Sequence, residues 1–142
     1  MNKLNSVQIL AGASGIKKAY EQSLKTKKLD IICTSENYSQ VIDSYFDDEY
    51  SPKLLGSTIK TREILPDSPD NRDYTSKKDQ NKNQVAFISV VQGIETDLLV
   101  VDDFVVQISY NQNQPLAIVI SDPELVKSAK LQFNLMWEQA EK

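Results

Sequence analysis

The sequence contains no histidine. That excludes any mechanism that relays a proton through an imidazole and removes a common zinc ligand. It has a single cysteine, Cys33, so no intramolecular disulfide and no cysteine-based metal cluster can form. A thiol nucleophile needs a base beside it, usually histidine, so Cys33 reads as a small buried apolar residue. No apolar run approaches the ~20 residues of a membrane span. Residues 1–6 lack the apolar stretch of a signal peptide, so a cytoplasmic location without membrane contact is expected by default. Positive charge is also in deficit, with 16 basic against 20 acidic residues and a net charge of −4. A domain that grips DNA unaided normally carries a basic patch, because phosphate neutralisation dominates affinity. The densest basic cluster, Lys17, Lys18, Lys25, Lys27 and Lys28, is expected on the exposed face and last turn of a helix, where cations suit the helix dipole.

The 142 residues are 40% hydrophobic and 25% charged, which predicts one soluble globular domain over residues 1–142. Val7 to Ala11 reads as a strand, with Ser14 capping the helix that follows. In that helix Ile16, Tyr20 and Leu24 share a face. Leu29 to Thr34 is an isoleucine-rich strand of the kind covered on both faces. Asn37 or Ser39 caps a second helix with an apolar stripe of Val41, Ile42, Tyr45, Phe46 and Tyr50, and Pro52 stops it. Thr58 to Leu65 is a third strand. Residues 66–70 form a turn. A marginal helix near Asp70 to Lys78 and an exposed, mobile loop to Asn83 follow. Gln84 to Ile88, Asp97 to Val101, Phe104 to Tyr110 and Leu116 to Ile120 read as strands, with Asp102-Asp103 as a hairpin turn. Ser121 and Glu124 fit a capping box for a closing helix whose stripe is Leu125, Ala129, Phe133, Met136 and Ala140, widened by Trp137. Early alternation of strand and helix argues for parallel pairing and the later hairpins for antiparallel strands. The expected class is α/β, a mixed sheet flanked by helices.

Glu95-Thr96-Asp97-Leu98-Leu99-Val100-Val101-Asp102 has the spacing of the phospholipase D signature, His-x-Lys, four residues, then Asp. Glu95 stands at the histidine position and Asp97 at the lysine position; only Asp102 fits. Four further segments, Gly15 to Glu21, Ile59 to Pro66, Asp97 to Ser109 and Ala117 to Trp137, span most of the chain. With these the sequence resembles the effector domain of TrmB-type transcriptional regulators, whose fold is phospholipase D-like. The resemblance implies a homodimer, sensing of a small molecule such as a sugar, and DNA contact only through a winged helix. That winged helix is expected to be absent here, because the first strand begins almost at Met1. Sugar binding in such domains often uses a further C-terminal extension, whereas this chain stops at Lys142.

Glu95 and Asp97 would repel an anionic phosphate rather than stabilise developing negative charge, so no phosphodiesterase activity, no catalytic residue and no cofactor is expected. Glu95, Asp97, Asp102 and Asp103 could be read as a hard-cation site, but the alternation of a calcium loop is absent and they more simply solvate two strand ends; no metal is expected. Ligands of open parallel sheets settle at the carboxyl ends of strands. Ser35, Asn37 and Tyr38 after the second strand, and Arg62, Glu63 and Asp67 on or after the third, are therefore the candidate small-molecule residues. For each of them singly, capping and turn chemistry is the plainer account. Tyr45, Phe46 and Tyr50 could form a sugar platform, but their helical spacing favours packing. Gly12-Ala13-Ser14-Gly15 hints at a phosphate cradle without the full pattern of a nucleotide motif. The rival readings are a divergent phospholipase D-fold phosphodiesterase and an adaptor that binds protein through the apolar face of its last helix.

Overall fold

The structure is a computed structural model that describes residues 6–89 and 93–142; residues 1–5, read above for a signal peptide, lie outside it. In chain order the elements are β1 (Val7–Ala11), α1 (Gly12–Ser23), β2 (Lys28–Cys33), α2 (Ser39–Ile42), a π-helical turn (Phe46–Tyr50), α3 (Ser51–Leu55), β3 (Lys60–Pro66), α4 (Pro69–Ser76), β4 (Asn83–Ile88), β5 (Thr96–Val100), β6 (Val105–Ser109), β7 (Leu116–Ile120) and α5 (Pro123–Gln139). The strands form one sheet in the order β1-β7-β6-β5-β2-β3-β4. β2, β3 and β4 pair in parallel, and the other pairings are antiparallel. The mixed α/β sheet read from the sequence is therefore present, with one correction. β1 does not lie beside β2; it pairs antiparallel with β7 at the far edge.

One face of the sheet packs on α1, α2 and the π turn, through Ile16, Ala19, Tyr20, Ile42, Tyr45, Tyr50, Leu99, Val106, Ile108 and Ala117 among others. Tyr45, Phe46 and Tyr50 serve this packing: their rings lie 6.2, 5.8 and 4.6 Å from that of Tyr20. The other face carries α5, whose Val126 meets Val100 and Val105. Arg62 fixes the middle of α5, with its guanidinium 4.9 Å from the Phe133 ring centroid and 5.5 Å from that of Trp137. The end of α5 is clipped to edge strand β4 by paired backbone bonds between Phe87 and Glu141, 2.7 and 2.9 Å.

Several local expectations are corrected. α1 starts at Gly12 (φ 72°), not after Ser14, and its N-cap Ala11 offers no side-chain bond. α1 ends at Ser23, so Lys25 and Lys27 fall in the following turn and Lys28 opens β2. The helix expected through Tyr50 breaks at Asp43, whose φ of 54° is left-handed. Pro52 stops nothing; it sits in the first turn of α3, where its missing N–H leaves no bond unmade. Asp122, not Ser121, caps α5, accepting from the Leu125 N–H at 3.0 Å. Leu125 and Met136 are exposed, and the buried stripe is Val126, Phe133 and Ala140. The stretch expected as an open loop to Asn83 begins at the buried Lys78 and ends at the buried Asn83, the first residue of β4. Lys78 donates to Glu63 at 2.6 Å and Asn83 to Thr61 at 2.8 Å.

Gly15 sits where α1 crosses β1. A Cβ there would lie 2.4 Å from the carbonyl carbon of Leu10 and 2.6 Å from its oxygen. Backbone cannot rotate aside as a side chain can, so the clash must be relieved by moving the helix. Gly15→Ala is expected to lower unfolding free energy by about 1–3 kcal/mol, read from urea denaturation. Parental stability in that variant would mean that α1 does not pack this closely.

Candidate functional site

Two positions of the motif, Glu95 and Asp97, lie where β2 ends and β5 begins, while Asp102 lies beyond the other end of β5. Asp97 pairs with Cys33 across the β2–β5 ladder, on the sheet face beneath α1. It is 5% exposed. Its Oδ1 accepts from the Ser35 N–H at 3.2 Å and the Ser35 hydroxyl at 2.8 Å. Its Oδ2 accepts from the Tyr20 hydroxyl at 3.0 Å, and Tyr20 in turn meets the Tyr110 hydroxyl at 2.5 Å. Glu95, just before β5, accepts from the Glu36 and Asn37 N–H groups at 3.0 Å each and from the Asn37 side-chain amide at 2.8 Å. Both carboxylates are thus engaged in holding the β2–α2 loop to β5. The Tyr38 hydroxyl extends the arrangement to Asp47 on the π turn at 3.1 Å.

Burial raises the Asp97 carboxyl above its ordinary value, opposed by the hydrogen bonds from Ser35, Cys33 and Tyr20. Burial, then the Asp97 charge, pushes the Cys33 thiol well up, which leaves no thiolate for nucleophilic work near neutral pH. Tyr20 and Tyr110 are raised first by burial and next by Asp97, so they stand as neutral donors. The cluster contains a buried acid and neutral phenols. Among the described residues, the N–H and O–H donors to the Asp97 and Glu95 carboxylates come from Tyr20, Ser35, Glu36 and Asn37.

The sequence-predicted ligand residues do not share one cleft. Ser35, Asn37 and Tyr38 come together around Glu95 and Asp97. Arg62 lies on the opposite face of the sheet, bonded to both oxygens of Asp30 at 2.8 and 2.7 Å and to Asn134 at 2.9 Å. Glu63 is sealed under Lys78, and Asp67 is a surface partner of Arg72 at 2.8 Å. They separate because successive strand residues point to opposite faces: Arg62 and Glu63 are neighbours in sequence only. Among the described residues, no group of three or more carboxylates or thiols is gathered as a cation site would require. Sequence reasoning missed Tyr20 and Tyr110 as partners of Asp97, and only the sheet order, which brings β6 and α1 to the end of β5, reveals them.

Neither a family model nor a curated protein sequence matches the chain. Solved structures do. Nuc from Salmonella typhimurium, a phospholipase D family member, superposes with a TM-score of 0.71 at 14% identity, covering 96% of each chain. NucT from Helicobacter pylori gives 0.65 at 12% identity, over 95% of this chain and 97% of that one. The chain has the phospholipase D fold. TrmBL2, an archaeal chromatin protein with a novel mode of DNA binding, gives 0.63 at 18% identity over the whole of this chain. The chain spans 56% of the length of TrmBL2. The fold read from residues 95–102 and the four supporting segments is thereby shown.

Because burial raises Asp97, the folded chain holds its proton more tightly than the unfolded chain does. Between the ordinary carboxylate value and the raised one, stability therefore falls as pH rises. Asp97→Asn, which mimics the protonated group, is expected to flatten that part of the curve and to be at least as stable as the parent at neutral pH. Asp97→Ala strands the Tyr20 and Ser35 donors and is expected to cost about 1–3 kcal/mol. Urea unfolding from about pH 4 to pH 8 reads both; an Asn variant that keeps the parental slope would assign the pH dependence to another group.

Proposed function

We propose that this chain is a non-catalytic effector-sensing and dimerisation domain of a TrmB-like transcription regulator. One observation carries the reading. At the positions where the phospholipase D signature has histidine and lysine stand Glu95 and Asp97, and both are engaged in internal hydrogen bonds. Phosphoryl chemistry needs a nucleophile and cationic stabilisation of the transition state, and these two positions supply neither. The likeness to TrmBL2 over the full chain supports a regulatory use of the same scaffold. DNA contact would come from a winged helix rather than from this domain. Ser35, Asn37 and Tyr38, on the loop held by Glu95 and Asp97, are the residues through which a small polar effector such as a sugar would act on the fold.

The outer side of α5 supports the dimerisation half of the proposal. Leu131 and Leu135 are 60% and 55% exposed, and a second copy or another protein would cover them. This surface is also what an adaptor reading would use.

Purified protein is expected to release no nitrophenolate from bis(p-nitrophenyl) phosphate above the buffer rate; turnover abolished by Glu95→Gln or Asp97→Asn would establish the divergent enzyme instead. A thermal-shift panel of sugars and metabolites should contain at least one stabilising compound, with roughly 2.7 kcal/mol at a hundredfold excess over Kd. Sedimentation should show a dimer that Leu131→Lys with Leu135→Lys dissociates. A monomeric parent that no compound stabilises would overturn the proposal.

A further inference from the structure

A cleft of about 330 Å³ opens at the end of the sheet away from Glu95 and Asp97. It lies where β2 and β3 begin, five residues or about 16 Å along β2 from Cys33. Five cationic side chains line it, Lys28, Lys60, Arg62, Lys82 and Lys130, against two carboxylates, Asp30 and Asp102. The chain as a whole carries a net charge of −4, so this positive excess is local. Arg62 is neutralised by Asp30 at 2.7 Å. Lys82 and Lys130 donate to the backbone carbonyls of Leu55 and Asp102, at 2.7 and 2.8 Å, which steadies them without cancelling their charge.

Lys28 and Lys60 are directly opposed in the register of the parallel β2–β3 ladder, and so share a sheet face. Among the described residues, neither forms an ion pair. Like charges set side by side on neighbouring strands destabilise a sheet, and an anion between them removes that repulsion. Val100, packed against Val105 and Val126, lies at the floor of the cleft on this face.

The geometry points to a binding cleft for a small phosphorylated ligand at the start of β2 and β3, gripped by Lys28 and Lys60 and roofed by Lys130. This cleft shares no residue with the loop around Ser35, so it can bind its ligand whether or not that loop senses an effector.

Titration of the full chain with sodium pyrophosphate, by calorimetry and by amide chemical shifts, tests it. Saturable binding is expected, with shifts centred on Lys28, Lys60 and Lys130 and an affinity that falls as salt rises. Lys28→Gln with Lys60→Gln is expected to weaken binding at least tenfold. Lys18→Gln with Lys25→Gln, which removes equal charge elsewhere, is expected to leave it unchanged. The single variant Lys60→Gln and the shift map of the parent decide the matter should the double variant unfold. No saturation by pyrophosphate on the order of 10 mM, equal weakening by both double variants, or shifts centred elsewhere would overturn the proposal. So would a DNA duplex that binds this cleft and is not displaced by pyrophosphate, which would make nucleic acid its ligand.

Discussion

A carboxyl group that the fold withdraws from water at the end of β5 must be matched by donors, and much of one layer is arranged around that need. Asp97 draws its partners from α1 through Tyr20 and from the loop after β2 through Ser35, while Tyr110, just beyond β6, bonds to Tyr20. An unpaired polar group in this place would cost about 1–3 kcal/mol, so each partner is held in position as firmly as it holds Asp97. The aromatic cluster over the sheet follows from the same arrangement. Tyr20 points its hydroxyl at Asp97 and its ring at Tyr45, Phe46 and Tyr50, so the short helical segments of residues 39–55 pack on a side chain whose far end is already fixed.

The opposite layer is secured by a different device. Asp30 and Arg62, neighbours on β2 and β3, form a two-pronged ion pair whose guanidinium also stacks beneath Phe133 and Trp137. A planar guanidinium can bond at its edge and stack on its face at once. Lysine at this position would keep the charge and lose the platform. The two faces of β3 thus carry opposite solutions to burying charge. Arg62 is half open under α5, while Glu63 is closed off with Lys78, their side chains 5% and 1% exposed.

How much of this could be read from residues alone depends on the range of the interaction. β7 runs from Leu116 to Ile120 as read, because an apolar run between turn residues is a local signal, whereas the α4 cap at Ser68 falls in the stretch 66–70 read only as a turn. The helix expected through Tyr50 failed because its stripe was correct while its backbone was not: the apolar residues do face the core, but a left-handed Asp43 breaks the path between them. The placement of β1 failed for a topological reason, since no local pattern says that the first strand closes the sheet beside the last. The candidate site divided along the same line. Ser35, Asn37 and Tyr38 were legible as residues after the second strand, but their meeting with Glu95 and Asp97 needs the β2–β5 pairing. Arg62 and Glu63 were not separable until strand alternation was applied to their own strand. The pairing of Lys28 with Lys60 needs the β2–β3 register, which no single segment contains.

Charge is distributed along the sheet in a way that bears on what the scaffold can accept. Around the start of β5, Glu36, Asp47 and Glu95 accompany the buried Asp97. At the opposite end of the parallel strands stand Lys28, Lys60, Lys82 and Lys130. Potentials of this kind add over many residues and act before contact is made. A phosphodiester approaching the place where the phospholipase D signature would put its histidine and lysine meets carboxylates instead. Glu95 and Asp97 are both bonded within the fold, Glu95 to the loop after β2 and Asp97 to Ser35 and Tyr20. The donors that Ser35 and Tyr20 supply to Asp97 match an acceptor at that position, and the carboxylates of Glu36 and Glu95 beside it make this end of the sheet acidic.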